Sequence, residues 1–231
     1  MVKRFLFIDG GQYPEEWISL AAEELEQGAV VVHPTETVHG FGCRWDCREA
    51  TERIVRIKGR GPGKSMLFLV PDLDWVERLT TGLSPESIRL IEIFWPGPLT
   101  LVFKASAAAR KACSWLGETV ALRRSPHAFT SRLVERLNRP MISTSLNLTG
   151  QPVPENPVHF LSEVLPLSSI GRDSLSLELA VIDRSERAGQ KHLLPSSVVR
   201  PVKNGYVMLR EGAVKAEEIG RLTGLERREI D

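Results

Sequence analysis

Apolar residues recur along the chain in two alternating rhythms. Trp17, Ile18, Ala21, Ala22 and Leu25 fall at helical spacing after Pro14 and the acidic pair Glu15-Glu16, with Gly28 as terminator, which predicts an amphipathic helix. Ala29 to His33 is a largely β-branched run stopped by Pro34, as expected of an interior strand that delivers the polar loop Thr35-Glu36-Thr37. The alternation continues with a helix over Glu49 to Ile57, a strand over Met66 to Val70, a helix over Ser84 to Phe94 opened by Pro85, and a strand over Leu99 to Phe103. Thr119 to Leu122 reads as another strand, Phe129, Leu133 and Leu137 as one helical face, and Met141-Ile142-Ser143 as the start of the next strand.

After Gly150 the character changes. Pro152, Pro154 and Pro157 stand close together, and a Ser/Leu-rich stretch from Leu161 to Leu177 reads as a surface excursion, not a domain boundary. Short strands at Leu179 to Ile182, Ser197 to Val199 and Tyr206 to Leu209 can return to the same sheet, and residues 215–231 read as a charged helical tail with Ile219, Leu222 and Leu225. The expectation is one α/β domain over residues 1–214, built on a mixed, largely open, twisted sheet with flanking helices, followed by the tail.

Composition narrows the class of protein. The chain has 231 residues, 42% of them apolar, with 30 Lys and Arg against 29 Asp and Glu. Such a chain can bury roughly 70–75% of its unfolded surface, so disorder is excluded for most of it. The balanced charge argues against bulk electrostatic binding of nucleic acid, though not against a local basic groove. The three cysteines, Cys43, Cys47 and Cys113, are too few and too uneven for a secreted disulfide framework. The apolar run after Lys3-Arg4 ends at Asp9-Gly10, too short for a signal peptide, and nothing approaches the roughly 18 apolar residues of a membrane span. A cytoplasmic protein is expected.

Four polar clusters sit near the ends of predicted elements, where α/β proteins place ligands. Pro34 to Gly42 supplies two hydroxyls and glycines that permit close approach, and reads either as a simple turn or as a ligand loop. Lys58-Gly59-Arg60-Gly61-Pro62-Gly63-Lys64 sets three cations among three glycines after a helix, an arrangement able to wrap a triphosphate although its spacing is not that of a P-loop. Arg123-Arg124-Ser125-Pro126-His127 ends a strand, and is either a solvated end or a two-pronged carboxylate clamp. Ser143 to Gly150 offers hydroxyls and an amide for phosphate oxygens or a base, or merely for a turn. Cys43 and Cys47 with His33 and His39 match no standard zinc spacing, and no nucleophile triad stands out.

Taken in order, Pro34-Thr35-Glu36-Thr37-Val38-His39-Gly40-Phe41-Gly42, Lys58-x-Arg60, Phe94-Trp95-Pro96-Gly97-Pro98-Leu99-Thr100-Leu101, Val120 to Arg123, Ser143-Thr144-Ser145-Leu146-Asn147, Pro195 to Val199 and Leu209 to Ala213 resemble the YrdC-like L-threonylcarbamoyladenylate synthase family over about Ala29 to Gly212. The resemblance implies a twisted α/β domain around a basic cavity, and a nucleotidyl transfer that joins L-threonine, bicarbonate and ATP into threonylcarbamoyl-AMP with release of pyrophosphate. A partner transferase would then carry the threonylcarbamoyl group to tRNA, so tRNA is an indirect partner and any RNA contact in the cavity is weak.

By the same carry-over, Lys58, Arg60, Ser145 and Asn147 form the catalytic signature and bind ATP together with Thr119 and Arg210, with Mg²⁺ at the phosphates. Thr35, Arg123, Ser143 and Ser196 would hold threonine, Arg123 taking its carboxylate. Lys64 is expected to join Lys58, Arg60, Arg123 and Arg210 at the cavity. His39, Gly61 and Leu69 depart from the family's common residues, as does the segment from Arg187 to Leu194. Two other readings stand beside this one: a noncatalytic paralogue that binds RNA or nucleotide, and carbamoyl transfer to another acceptor.

Overall fold

A computed structural model describes residues 2–59, 66–113, 116–167, 177–184 and 194–229. Its centre is a single mixed sheet of eleven strands in the order β1-β8-β2-β3-β7-β4-β6-β5-β9-β10-β11. The strands are β1 (Val2–Ile8), β2 (Val31–His33), β3 (Gly40–Arg44), β4 (Leu67–Leu69), β5 (Leu99–Lys104), β6 (Thr119–Arg123), β7 (Met141–Ser145), β8 (Leu177–Asp183), β9 (Ser197–Val202), β10 (Gly205–Arg210) and β11 (Glu226–Arg228). The sheet combines parallel pairs (β1 with β8, β2 with β8, β4 with β6, β5 with β9, β10 with β11) and antiparallel ones (β2 with β3, β3 with β7, β4 with β7, β5 with β6, β9 with β10).

The helices are α1 (Glu15–Glu26), α2 (Arg48–Ile57), α3 (Leu73–Leu79), α4 (Pro85–Phe94), α5 (Ala107–Ala112), α6 (Ala128–Leu137), α7 (Pro157–Leu167) and α8 (Ala216–Thr223). Side chains alternate between the two faces of a strand, so each strand contributes to two environments. On one face Phe41, Phe68, Leu101, Leu122, Ile142 and Val199 join Ile54 and Ile57 of α2 and Leu90 and Phe94 of α4 in the larger core. On the other, Val31, Leu69, Met141, Leu179 and Val181 pack beneath Ile18, Leu25, Phe129 and Leu133 of α1 and α6.

Several elements were not expected. The N-terminal run is β1, an edge strand paired with β8. Residues 40–44, which begin inside the Pro34 to Gly42 segment that reads as turn or loop, are the interior strand β3 between β2 and β7, because long-range pairing on both sides outweighs the weak strand preference of glycine. The excursion after Leu161 begins inside α7, whose Leu161 is buried in the core, and residues 168–176 lie outside the described residues. Residues 215–231 carry α8 and then β11, which adds to the sheet edge beside β10; Ile219 is fully buried in the larger core. No helix among the described residues is long and apolar enough to cross a membrane.

Candidate functional site

The face covered by α1 and α6 over β2 and β3 opens farther along the sheet into a cavity of about 450 Å³. Register explains its floor. Leu67 pairs with both Ala121 and Ser143, Val102 with Ala121, and Thr100 with Val198, so these side chains share one face and all line the cavity. Lys58, Arg123 and Arg210 line it together with hydroxyls of Thr37, Thr100, Thr119, Ser143, Ser145 and Ser196 and the amide of Asn147. No carboxylate, thiol or imidazole is among the described lining residues.

Lys58 follows the last turn of α2, where the negative end of the helix dipole favours a cation, and it is 4% exposed. Its ammonium donates to the Ser145 carbonyl oxygen at 2.5 Å, the Asn147 carbonyl oxygen at 2.7 Å and Asn147 Oδ1 at 3.1 Å. The Ser145 hydroxyl also donates to Asn147 Oδ1 at 2.6 Å, and Asn147 Nδ2 donates to the Gln151 carbonyl at 2.6 Å. Three residues of the expected signature are thus one hydrogen-bonded knot at the end of β7. The fourth, Arg60, lies outside the described residues, as do Gly61, Lys64 and residues 187–193.

Arg123 ends β6 and is 2% exposed. It donates to the Thr37 hydroxyl at 3.0 Å and lies 3.3 Å from Glu36 Oε1, while the Ser125 hydroxyl donates to Glu36 Oε2 at 2.5 Å. Burial lowers the Arg123 pKa from its usual value and the Glu36 carboxylate opposes that shift. Its buried Nε has no hydrogen-bond partner among the described residues. Such a pair, half satisfied and facing a cavity, retains a donor for an anionic ligand group.

Arg210 follows a register shift in β10 and donates twice to the Ser196 carbonyl, at 3.1 and 2.7 Å. The Ser196 hydroxyl stands 2.9 Å from that of Thr100. Burial lowers the Arg210 pKa, and the nearby positive Arg123 adds to the shift. Thr119 and Ser143 also reach the cavity.

Thr35 is placed differently. It is not among the lining residues; its hydroxyl donates to the Val38 carbonyl at 2.6 Å and accepts from the Thr37 and Val38 amides. The turn it closes brings Thr37 to the wall instead, whereas the family resemblance assigns the threonine contact to Thr35. Leu69 and His39 are also away from the lining: Leu69 packs in the α1 and α6 layer, and His39 Nε2 accepts from the Asp183 amide at 3.1 Å. The donor set does not fit a Mg²⁺ held by protein side chains, since magnesium sites usually include one or two carboxylates and none lines the described cavity. Nor is any group of three His, Cys, Asp or Glu among the described residues placed to hold a metal.

The Sua5/YciO/YrdC family model, which carries the description telomere recombination, matches residues 23–212. The chain is 30% identical over 215 residues to threonylcarbamoyl-AMP synthase of Pyrococcus abyssi, covering 91% of this chain and 58% of that protein. It is 39% identical over 129 residues to the enzyme of the same name from Vibrio vulnificus, covering 55% of this chain and 69% of the relative. P. abyssi Sua5 complexed with L-threonine aligns with a TM-score of 0.81 and 28% identity over 98% of this chain and 63% of that one. E. coli YciO shares the fold, with a TM-score of 0.75 and 23% identity over 94% of this chain and 98% of that one. The chain spans less than two thirds of the archaeal relative's length, but the matched portion contains the whole cavity described above, and the chain belongs to the Sua5/YciO/YrdC family.

Proposed function

We propose that the protein is a threonylcarbamoyl-AMP synthase. The observation that carries this reading is the knot of Lys58, Ser145 and Asn147 on the wall of a cavity whose described ionic residues are cations. It suits a substrate that is a polyanion at one end and an amino acid at the other. The relatives named threonylcarbamoyl-AMP synthase and the threonine complex of P. abyssi Sua5 support the same assignment.

In this reading L-threonine lies toward Arg123, its carboxylate taken by the guanidinium, with Thr37, Ser143 and Ser196 around it. Thr35 acts through the turn that sets Thr37. The ATP phosphates lie toward Lys58, Ser145, Asn147 and Arg210, with Arg60 completing the cationic end and Thr119 on the nucleotide side. Threonine's ammonium group gives up a proton, the resulting amine and bicarbonate form a carbamate with loss of water, a carbamate oxygen attacks the α-phosphorus, and pyrophosphate leaves. No protein nucleophile is needed. The fixed cations and hydroxyls orient the reactants and stabilise the charge that moves onto the leaving phosphates. Mg²⁺, where it takes part, belongs with the triphosphate, because the described wall has no carboxylate for it. The product serves tRNA modification through a separate transferase, in the cytoplasm.

Purified protein given ATP, L-threonine and bicarbonate is expected to release pyrophosphate and to form an AMP adduct of the mass of threonylcarbamoyl-AMP. ATP binding without threonine-dependent pyrophosphate release would overturn this function.

A further inference from the structure

His33 is fully buried on β2 and takes no part in the lining of the cavity, yet it touches a residue that does. In the antiparallel register His33 pairs with Gly40 and Val31 with Gly42 on β3, and Gly42 in turn pairs with Ser143 on β7. The imidazole therefore crosses β3 to reach the third strand, where His33 Nε2 lies 3.2 Å from Ser143 Oγ. The two glycines make that crossing possible. A Cβ on Gly42 would stand 2.9 Å from His33 Cδ2, and one on Gly40 would stand 3.1 Å from Ser143 Oγ and 3.3 Å from His33 Nε2.

The opposite side of the ring settles which nitrogen carries the proton. His33 Nδ1 lies 3.2 Å from the Pro34 carbonyl oxygen and 3.3 Å from Thr130 Oγ1 on α6. The Thr130 hydroxyl spends its own proton on that same carbonyl, so both neighbours offer Nδ1 only lone pairs. The proton sits on Nδ1, Nε2 is bare, and the Ser143 hydroxyl must donate to it. Burial holds the ring neutral, with its pKa lowered to about 3, and the nearby Arg123 and His127 act in the same direction.

We propose that His33 is a positioning residue for the amino-acid end of the cavity: by taking the Ser143 proton, it presents Ser143 to the ligand as an acceptor only. That polarity selects an ammonium or hydroxyl donor at Ser143 and disfavours a carboxylate there. It orients an amino acid with its carboxylate toward Arg123 and its donor toward Ser143. The inference rests on the threonine-binding reading above.

The test is threonine affinity by calorimetry for the wild-type chain, His33→Phe, Ser143→Ala and the double variant, with ATP affinity measured alongside. His33→Phe keeps a ring in the niche and should weaken threonine about tenfold while leaving ATP within about twofold. In the Ser143→Ala background the same change should add nothing, because the hydroxyl it orients is gone; damage that is merely structural would persist there. Should the Phe variant not fold, His33→Gln, which keeps an acceptor near the Nε2 position, should hold threonine to within about threefold, and His33→Leu should not. Wild-type threonine affinity in His33→Phe or His33→Leu, or a further loss in the double variant, overturns the role of His33 and leaves the functional assignment standing. A wild-type chain that binds ATP but not threonine overturns that assignment and this inference with it.

Discussion

Met141 and Ser143 stand two residues apart on the same face of β7, but Met141 is sealed beneath α1 and α6 while Ser143 is part of the cavity wall. Ser145, a further two residues along, sits beside the Lys58 ammonium. One strand thus passes from an apolar layer, through a hydroxyl backed by a neutral ring, to a hydroxyl in a charged knot. The same face of the same sheet supplies both core and site. The difference lies in which helices cover it: α1 and α6 bury apolar side chains over the first region, while over the second the period-two positions carry hydroxyls and cations that would cost free energy to cover unpaired. His33 lies on the border, with one nitrogen toward Thr130 of the covering helix and the other toward Ser143.

The largest effect should come from breaking the charged end. Lys58→Ala removes three donors from the Ser145 to Asn147 turn, and pyrophosphate release should fall about 100-fold or more with the circular dichroism spectrum retained. Arg123→Lys keeps a charge but loses the planar fork, and should raise the KM for threonine by about 10- to 100-fold with a smaller change in the KM for ATP. The border residue responds to pH. The unfolded chain takes up a proton at His33 below about 6.5, while the folded ring does not until about 3, so stability present above pH 6.5 is lost as pH falls toward 3. Urea unfolding should show about 2 kcal/mol of this loss between pH 7.5 and pH 5, and His33→Phe should remove that part of the slope. The finest division lies between the two serines. Ser145→Ala should raise the KM for ATP and Ser143→Ala that for threonine, each by about tenfold; a shared effect on both substrates would show that the two ends of β7 are not separate subsites.

Much of this was legible in the chain. The helices α1, α2, α4 and α6 follow the apolar spacing, and Ser84 caps α4 by accepting from the Ser87 amide, as its place before Pro85 suggests. Of the residues assigned by the family resemblance, Lys58, Thr119, Arg123, Ser143, Ser145, Asn147, Ser196 and Arg210 line one cavity, Thr35 does not, and Arg60 lies outside the described residues. What was illegible has a common cause. Gly40 and Gly42 read as loop formers because their use, space for the His33 ring, depends on a strand about 100 residues away, a separation beyond any local pattern. Thr35 and Thr37 have the same chemistry, and only the turn geometry turns one inward to the Val38 carbonyl and the other toward Arg123.

The sequence by itself determined the alternation of strand and helix, the set of hydroxyls and cations at strand ends, and hence the α/β class and the family, because side-chain period and residue chemistry are local properties. Only the tertiary structure decided which strands lie side by side, which stretch of the sheet face α1 and α6 leave open, and that Lys58 and Ser145, or His33 and Ser143, meet at hydrogen-bond distance. Those outcomes rest on pairing and packing between distant segments, where the gain from burial and satisfied hydrogen bonds is shared by the whole sheet and assigned to no single stretch of chain.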